Sequence, residues 1–180
     1  MITNSIDARR KAVRAVAELM ATAAQTAPKG CGMDNVRSLI VDGNEKDTLS
    51  SIMREICKEY DQDFFERDAC NVDDSQCVLL IGVQDAPIGL DHCGVCGFKN
   101  CGECAAAGSH CAFNITDLGI AVGSAVSVAA DHRVDNRVLY SAGKAALRAG
   151  WFDNNVKVCY AVPLSAEAKN SFFDRGEDDE

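Results

Sequence analysis

Five of the ten cysteines fall in one short segment, and their spacing is typical of a metal site. Cys93 and Cys96 are separated by two residues, which places two thiols on one tight turn. Cys101 lies five residues further on, and the segment continues to Cys104 and Cys111. A 4Fe-4S cluster needs about four thiolates that converge within one loop. The spacing therefore predicts a cluster site in which Cys93, Cys96 and Cys101 are three of the ligands.

The fourth ligand can be Cys104 or Cys111, and we favour Cys111. Cys104 follows Cys101 by one helical turn, so it can face the cluster without binding iron. Zinc is the alternative metal, because it accepts sets of four thiolates. Its ligands would be Cys93, Cys96, Cys101 and Cys104, although only four residues separate the two C-x2-C pairs, which is short for a zinc fold. Thiols without metal are the third alternative.

Composition limits the classes of function. The chain has 180 residues, a formal charge of -9 and an isoelectric point near 4.8. Such a chain is poorly suited to nucleic acid or an anionic membrane surface, because phosphates attract clustered lysine and arginine. Charges from Asp7 to Arg14 interrupt any signal-peptide core, and the apolar stretch 118–130 is too short to span a bilayer of about 30 Å. We therefore expect a cytoplasmic protein, in which thiols serve metal or redox chemistry rather than disulfides.

Apolar periodicity predicts an α+β fold built in layers. Helices are expected over 8–27, 49–60, 115–130 and 141–149, and strands over 37–42, 77–83 and 156–162. The run 77–83 is apolar throughout, so we place it in the middle of a sheet, and we expect Pro163 to limit the pairing of the last strand. The expected domain covers 1–173, with the cysteine motif inserted at 91–111 and an acidic, disordered tail over 174–180.

Two further stretches have suggestive compositions. Gly119, Gly123 and Ser127 recur at four-residue spacing in the helix predicted over 115–130, which would let another backbone approach closely. The glycine-bearing turn over 27–35 can hold an anion with Lys29 and its backbone N–H groups. A plain turn that ends the preceding helix explains the same residues equally well.

Several motifs together resemble a known family. The spacing C-G-x-C-G-x-x-x-C is similar to the 4Fe-4S motif of ferredoxin-like domains in corrinoid iron-sulfur proteins, where a fourth cysteine lies further along the chain. With the cysteine motif occur the segments 27–30, 34–35, 80–83, 116–121, 134–137, 163–165 and 173–175. The combination resembles the uncharacterised prokaryotic family called domain of unknown function 2148, described as containing a ferredoxin domain. This resemblance covers nearly the whole chain and implies no established reaction.

More remotely, the chain resembles the flavin-dependent nitroreductase fold. The resemblance lies in the helix that ends at 27–28, the glycine-bearing helix from Asp117 and the late strand near Pro163. It implies a mixed sheet flanked by helices and a homodimer with FMN at the interface. The residues that it implies as FMN contacts are Lys29, Gly30, Asp34, Asn35 and Lys169. The chain lacks the Ser and Asn spacing of the flavin-contacting turn in those enzymes.

These features predict an iron-sulfur redox protein. One form of it is a flavin-dependent oxidoreductase in which electrons pass between a 4Fe-4S cluster and FMN. The alternatives are an electron carrier that docks through its acidic surface to a redox partner protein, and a zinc-stabilised interaction domain. No catalytic acid or base can be named from the spacing of residues.

Overall fold

The structure, a computed structural model, describes residues 2–173. Its helices are α1 (Ser5–Thr26), α2 (Gly43–Tyr60), α3 (Phe64–Asp73), α4 (Cys101–Ala106), α5 (Ala112–Asp131) and α6 (Tyr140–Arg148). Its strands are β1 (Val36–Val41), β2 (Cys77–Gln84), β3 (Asp135–Asn136) and β4 (Val156–Ser165). Short 3-10 turns cover Gly30–Gly32 and Ser171–Phe173. The tail predicted over 174–180 lies outside the described residues.

The strands form one sheet in the order β1-β2-β4-β3. The fold is α+β with helices around the sheet, as predicted, and its neighbouring strands run in opposite directions, so the sheet is antiparallel rather than mixed. β2 lies between β1 and β4, which confirms the central position predicted from its apolar run.

Pro163 does not limit β4, and that expectation was wrong. The strand continues to Ser165, and Pro163 pairs in register with Val78 of β2. Ala161 exchanges hydrogen bonds with Leu139 on the side of the strand away from β2. Backbone groups two residues apart point to the same side of an antiparallel strand. The missing N–H of Pro163 therefore costs no hydrogen bond with β2.

Helices cover both faces of the sheet. Leu79 and Ile81 of β2 pack in the core formed with α1 and α5, whereas Val78 and Leu80 pack in the core formed with α2, α3 and α6. The strand is buried from Cys77 to Val83. Burial on both faces is the physical reason why its sequence is apolar without alternation.

The four predicted helices are present, and α3 and the short α4 are additional to them. α1 begins at Ser5, where the side chain of Asn4 accepts a hydrogen bond from the Asp7 N–H at 2.9 Å. α3 lies in a stretch of the sequence that is rich in acidic residues. Its buried residues Phe65, Ala69 and Val72 are spaced by four and three residues, which is the helical signal that identifies it.

α5 is a core helix of the fold. It is 20 residues long and apolar enough to cross a bilayer by length and composition alone, contrary to the expectation for its sequence. In the fold Leu118, Ala121 and Ala125 are buried against α1 and the sheet. Gly119 and Gly123 lie on its exposed face, and a Cβ built on either would meet nothing within 4 Å. The close backbone approach predicted for these glycines is thus not made within residues 2–173.

Candidate metal centre

The five clustered cysteines line one pocket. Cys93 and Cys96 come from the loop after β2, Cys101 and Cys104 from α4, and Cys111 from the residue before α5. The remaining walls are largely apolar and include Pro87, Ile88, Leu90 and Phe113. We call this site the cysteine pocket.

Two glycines shape the loop between the first cysteines. Gly94 and Gly97 have φ angles of 65° and 89°, a left-handed conformation that glycine adopts without strain. The Gly97 N–H donates to the Gly94 carbonyl at 2.9 Å and closes a turn. This turn lets Cys93 and Cys96 reach the same pocket.

α4 places the next two thiols one helical turn apart. Asn100 caps the helix, since its side-chain oxygen accepts the Glu103 N–H at 2.9 Å. The Glu103 carboxylate in turn accepts the Lys99 N–H at 3.2 Å. This reciprocal pair satisfies N–H groups at the helix start and fixes the direction in which Cys101 and Cys104 leave the chain.

Cys104 and Cys111 are the buried thiols of the pocket, at 1% and 5% exposure, whereas the other three are half-buried. Burial, together with the neighbouring Cys96 thiol, raises the pKa of the Cys104 thiol to about 11. The Cys104 sulfur lies 3.4 Å from the Ser109 carbonyl, to which it donates. Cys104 is therefore a neutral thiol near neutral pH, and a metal bound there must displace its proton.

A polar network closes the base of the loop. Asp85, just after β2, lies with its Oδ2 atom 3.2 Å from Nδ1 of His110. Asn114, in the first turn of α5, donates its amide to the Gln84 and Ala86 carbonyls at 3.1 and 2.9 Å. These contacts hold the start of the loop against its end. Sequence analysis missed Asp85 and Asn114, although a polar residue directly after a buried strand is a recognisable signal.

A second contact supports the wall of the pocket from α5. The Gly30 N–H donates to both carboxylate oxygens of Asp117, at 3.0 and 3.1 Å. A Cβ on Gly30 would lie 2.5 Å from the Ile88 Cδ1 atom and 3.6 Å from a ring carbon of Phe113. Ile88 and Phe113 line the cysteine pocket, so the turn at Gly30 is part of its support. Its neighbour Cys31 is exposed and has a φ of 54°.

The turn over 27–35 makes its polar contacts inside the chain. The Lys29 ammonium donates to the carbonyls of Ala24, Gln25 and Ala27 at 2.6 to 3.0 Å, which caps the end of α1. The N–H groups of residues 30, 32, 33 and 35 also have acceptors within the chain. The plain helix-ending turn thus describes this segment better than an anion site.

The remaining residues implied as FMN contacts lie apart. Asp34 is paired with Arg37 at 3.6 Å, and Asn35 is buried, with no partner for its side-chain amide nitrogen among residues 2–173. Lys169 is exposed and lies two residues from Glu167, which pairs with Arg9 near the start of α1. Lys29 lies beyond the end of that helix, whose 22 residues span about 33 Å.

The structure does not bring these positions together within one chain. Lys29 lies at the end of α1, whereas the segment that carries Lys169 contacts the same helix near its start. Gly30 offers no free N–H, since that group is bonded to Asp117. The resemblance implied these residues as FMN contacts. In the fold, most of them form hydrogen bonds or ion pairs with other residues of the chain.

The other five cysteines lie outside the cysteine pocket. Cys57 and Cys159 pack with the core on the α2 side of the sheet. Burial raises the pKa of Cys159 and of Cys77 to about 12. Cys70 is exposed on α3, and Cys31 is exposed in the turn after α1.

The donor set of the cysteine pocket fits a thiolate-bound metal or cluster. Five thiols exceed the four that a 4Fe-4S cluster or a structural zinc ion needs. Within residues 2–173 no group of three or more His, Cys, Asp or Glu side chains stands ready to hold a metal ion. Metal loading therefore requires loss of thiol protons and movement of the sulfur atoms toward one another.

The fold belongs to the nitroreductase-like class. A putative nitroreductase from Desulfovibrio desulfuricans, in complex with FMN, superimposes with a TM-score of 0.57 at 15% identity, covering 87% of this chain and 75% of that one. A nitroreductase with bound FMN from Desulfitobacterium hafniense gives a TM-score of 0.59 at 14% identity, covering 94% of this chain and 81% of that one. These likenesses confirm the predicted fold.

Sequence comparison then gives the family. The family model described as "uncharacterized protein containing a ferredoxin domain (DUF2148)" matches residues 107–175. An uncharacterized protein from Archaeoglobus fulgidus is 41% identical over 184 residues, which cover 97% of this chain and 98% of that protein. The chain belongs to this ferredoxin-domain family, as its motifs predicted. The segment matched by the model contains Cys111 but not the other four cysteines of the pocket.

Proposed function

We propose that the protein is an iron-sulfur redox protein whose cysteine pocket holds a 4Fe-4S cluster. The observation that carries the proposal is the convergence of five cysteines on one pocket with apolar walls. When bound, such a cluster accepts and returns single electrons. Membership of a family described by a ferredoxin domain supports the same function.

The proposed ligands are Cys93, Cys96, Cys101 and Cys111. Cys111 occupies the N-cap position of α5, a helix of 20 residues. The positive end of a helix dipole favours the negative charge of an anionic cluster held there. Cys104 lies inside α4, and burial raises the pKa of its thiol to about 11. Cys104 therefore holds its proton tightly, and we propose that it stays a neutral neighbour of the cluster.

Residues around the pocket would influence the reduction potential of a bound cluster. Ile88, Leu90 and Phe113 limit the access of water, and the potential of a cluster depends on its exposure to solvent. The bond from Gly30 to Asp117 holds the turn against Ile88 and Phe113. These groups position the pocket and do not themselves exchange electrons.

A flavin-dependent oxidoreductase is the second candidate function. It is favoured by the nitroreductase-like fold, because neighbours of that fold contain FMN. The structure does not bring the residues implied as FMN contacts together within one chain, as described above. We therefore place the electron carrier first.

The expected partner of a carrier is a basic redox protein in the cytoplasm. The net charge of -9 would attract it, and the attraction would weaken as salt is added. A second copy of this chain is the proposed occupant of the exposed face of α5, defined by Ile115, Gly119, Ile120, Gly123 and Ser127. Two copies of that small-residue face can meet about a two-fold axis.

The test is anaerobic purification followed by absorption spectroscopy and analysis of iron, zinc, sulfide and released flavin. We expect about four iron and four sulfide per chain, with a visible absorption that dithionite bleaches. A colourless protein with about one zinc would refute the redox function and favour the structural zinc site. Stoichiometric FMN in the same sample would move the oxidoreductase to first place.

Cysteine variants test the ligand set. Cys96→Ser and Cys111→Ser are expected to lose the cluster, whereas Cys104→Ser is expected to keep it. Cys70→Ser, a change at an exposed thiol on α3, is the matched control and should keep its iron. Full iron content in Cys111→Ser together with loss in Cys104→Ser would show that Cys104 is the fourth ligand.

A further inference from the structure

Two acidic side chains are buried among the described residues, and only one of them has a positive charge to balance it. Asp68 and Asp117 are each 4% exposed. The Arg67 guanidinium pairs with Asp68 at 2.9 Å, and the Ser141 hydroxyl donates to it at 2.6 Å. Asp117 accepts from a single donor, the Gly30 N–H, which lies 3.0 and 3.1 Å from its two oxygens. In this part of the chain Asp117 has no ion-pair partner.

An unbalanced carboxylate inside a protein is costly. A carboxylate can accept about four hydrogen bonds, and burial removes those that water would supply. Buried charges in proteins are therefore usually paired with an opposite charge or bound to a metal. The unpaired charge of Asp117 thus points to a use of the charge itself.

Asp117 lies behind the wall of the cysteine pocket. A Cβ built on Gly30 would lie 3.7 Å from the Asp117 Oδ2 atom. The same Cβ would lie 2.5 Å from Ile88 and 3.6 Å from Phe113, two residues that line the pocket. The carboxylate is therefore next to the apolar side chains that form this wall.

The helix α5 also connects Asp117 to a proposed cluster ligand. Cys111 is the N-cap residue of α5, and Asp117 lies six residues further along the chain. At a rise of 1.5 Å per residue, about 9 Å of helix axis separates the two. Two charges interact more strongly across protein interior than across water, because the interior has a lower effective dielectric constant.

Other charged groups near the pocket are paired or exposed. Asp85 lies 3.2 Å from His110, and Glu103 is exposed at the start of α4. The Lys29 ammonium donates to carbonyls at the end of α1 and not to Asp117. Water and salt screen exposed charges. Among the described residues, Asp117 is thus the buried and unpaired acid beside the pocket.

We propose that the Asp117 carboxylate lowers the reduction potential of the cluster in the cysteine pocket, an inference that rests on the proposed function. Reduction adds one electron, and therefore negative charge, to the cluster. A fixed negative charge nearby makes that addition less favourable. The electron comes from the redox partner protein, and Asp117 exchanges neither an electron nor a proton in this step.

The test is a spectroelectrochemical titration of the full chain, purified without oxygen. Asp117→Asn removes the charge and keeps an oxygen that can accept the Gly30 N–H. A unit charge about 10 Å away, at an effective dielectric constant of about 20, changes the equilibrium constant for reduction about tenfold. The potential of Asp117→Asn should therefore be about 59 mV higher than that of the wild type.

Three further variants separate the charge from the packing of the wall. Asp117→Ser removes the same charge with a smaller side chain and should raise the potential by a similar amount. Asp117→Glu keeps the charge and should stay near the potential of the wild type. Asp68→Asn is the matched control, because it removes an equally buried carboxylate from α3, on the face of the sheet opposite α5. Its potential should equal that of the wild type.

Iron analysis of every variant distinguishes the possible failures. A wild-type protein without iron would overturn the proposed function and this inference together. A wild-type protein with its cluster, and an unchanged potential in Asp117→Asn, would overturn this inference alone. An equal rise in Asp68→Asn or in Asp117→Glu would do the same, as would loss of the cluster from both Asp117→Asn and Asp117→Ser, which would show a structural role.

Discussion

Gly143 allows α6 to lie directly on the sheet, and replacing it with alanine should destabilise the fold. A Cβ at this position would stand 2.0 Å from the Cys159 carbonyl oxygen and 2.6 Å from its carbonyl carbon. Ordinary contact begins at 3.4 Å, so the helix must move by about 1.4 Å. The obstacle is backbone of β4, which is paired on both sides and cannot yield as a flexible side chain would.

The magnitude follows from two opposing effects. Overpacking of this kind costs about 3 kcal/mol, the upper end of the usual range, because the displaced helix also loses contact through its buried residues Ala142, Ala145 and Ala146. Alanine is better than glycine in a helix by about 1 kcal/mol. The expected net loss in the free energy of unfolding is about 2 kcal/mol.

Urea unfolding followed by circular dichroism measures this loss. With a slope of about 2 kcal/mol per molar urea, the midpoint should fall by about 1 M. Lys144→Ala, at the exposed neighbouring position, should stay within about 0.5 kcal/mol of the wild type. A Gly143→Ala protein that is more stable than the wild type, as helix propensity alone predicts, would refute the packing argument.

Two further predictions concern surface charges and assembly. Arg54 joins α2 to α3 through Glu66 and Asp73, each at 2.8 Å. Burial raises the pKa of Asp73, but hydrogen bonds from Ser50 and Arg54 and the guanidinium charge outweigh it and hold that pKa below its usual value. Arg54→Met should therefore cost about 1 kcal/mol near pH 7, and the difference from wild type should shrink as pH falls below about 4 and Asp73 is protonated. A difference that grows in acid would contradict this assignment. Light scattering should give the mass of two chains for the wild type and of one chain for Gly119→Glu. The new carboxylate would be buried between the two copies and would prevent their association. A Gly119→Glu protein that is still dimeric would exclude the exposed face of α5 as the interface.

The hydrogen bonds that support the candidate centre join residues that lie far apart in the sequence. Gly30 and Asp117 are 87 residues apart, and Asp85 and His110 are 25 apart. No spacing in the chain predicts such pairs, because each donor bonds to whichever acceptor the folded backbone brings near. The same reason applies to Lys29. Its residue type and its position in a glycine-bearing turn suggested an anion site. In the fold its ammonium instead donates to the carbonyls at the end of α1.

The sequence by itself determined features that depend on neighbouring residues. The unbroken apolar run of β2 predicted a central strand, because a strand covered on both faces has no polar side. The short spacing from Cys93 to Cys111 predicted one thiol-rich site, because a loop of that length keeps its cysteines close together. Only the tertiary structure decided which groups share a pocket across long separations. Arg10, Lys46 and Cys77 meet in one cleft because α1, α2 and β2 pack together, and packing contacts of this kind are not periodic in sequence.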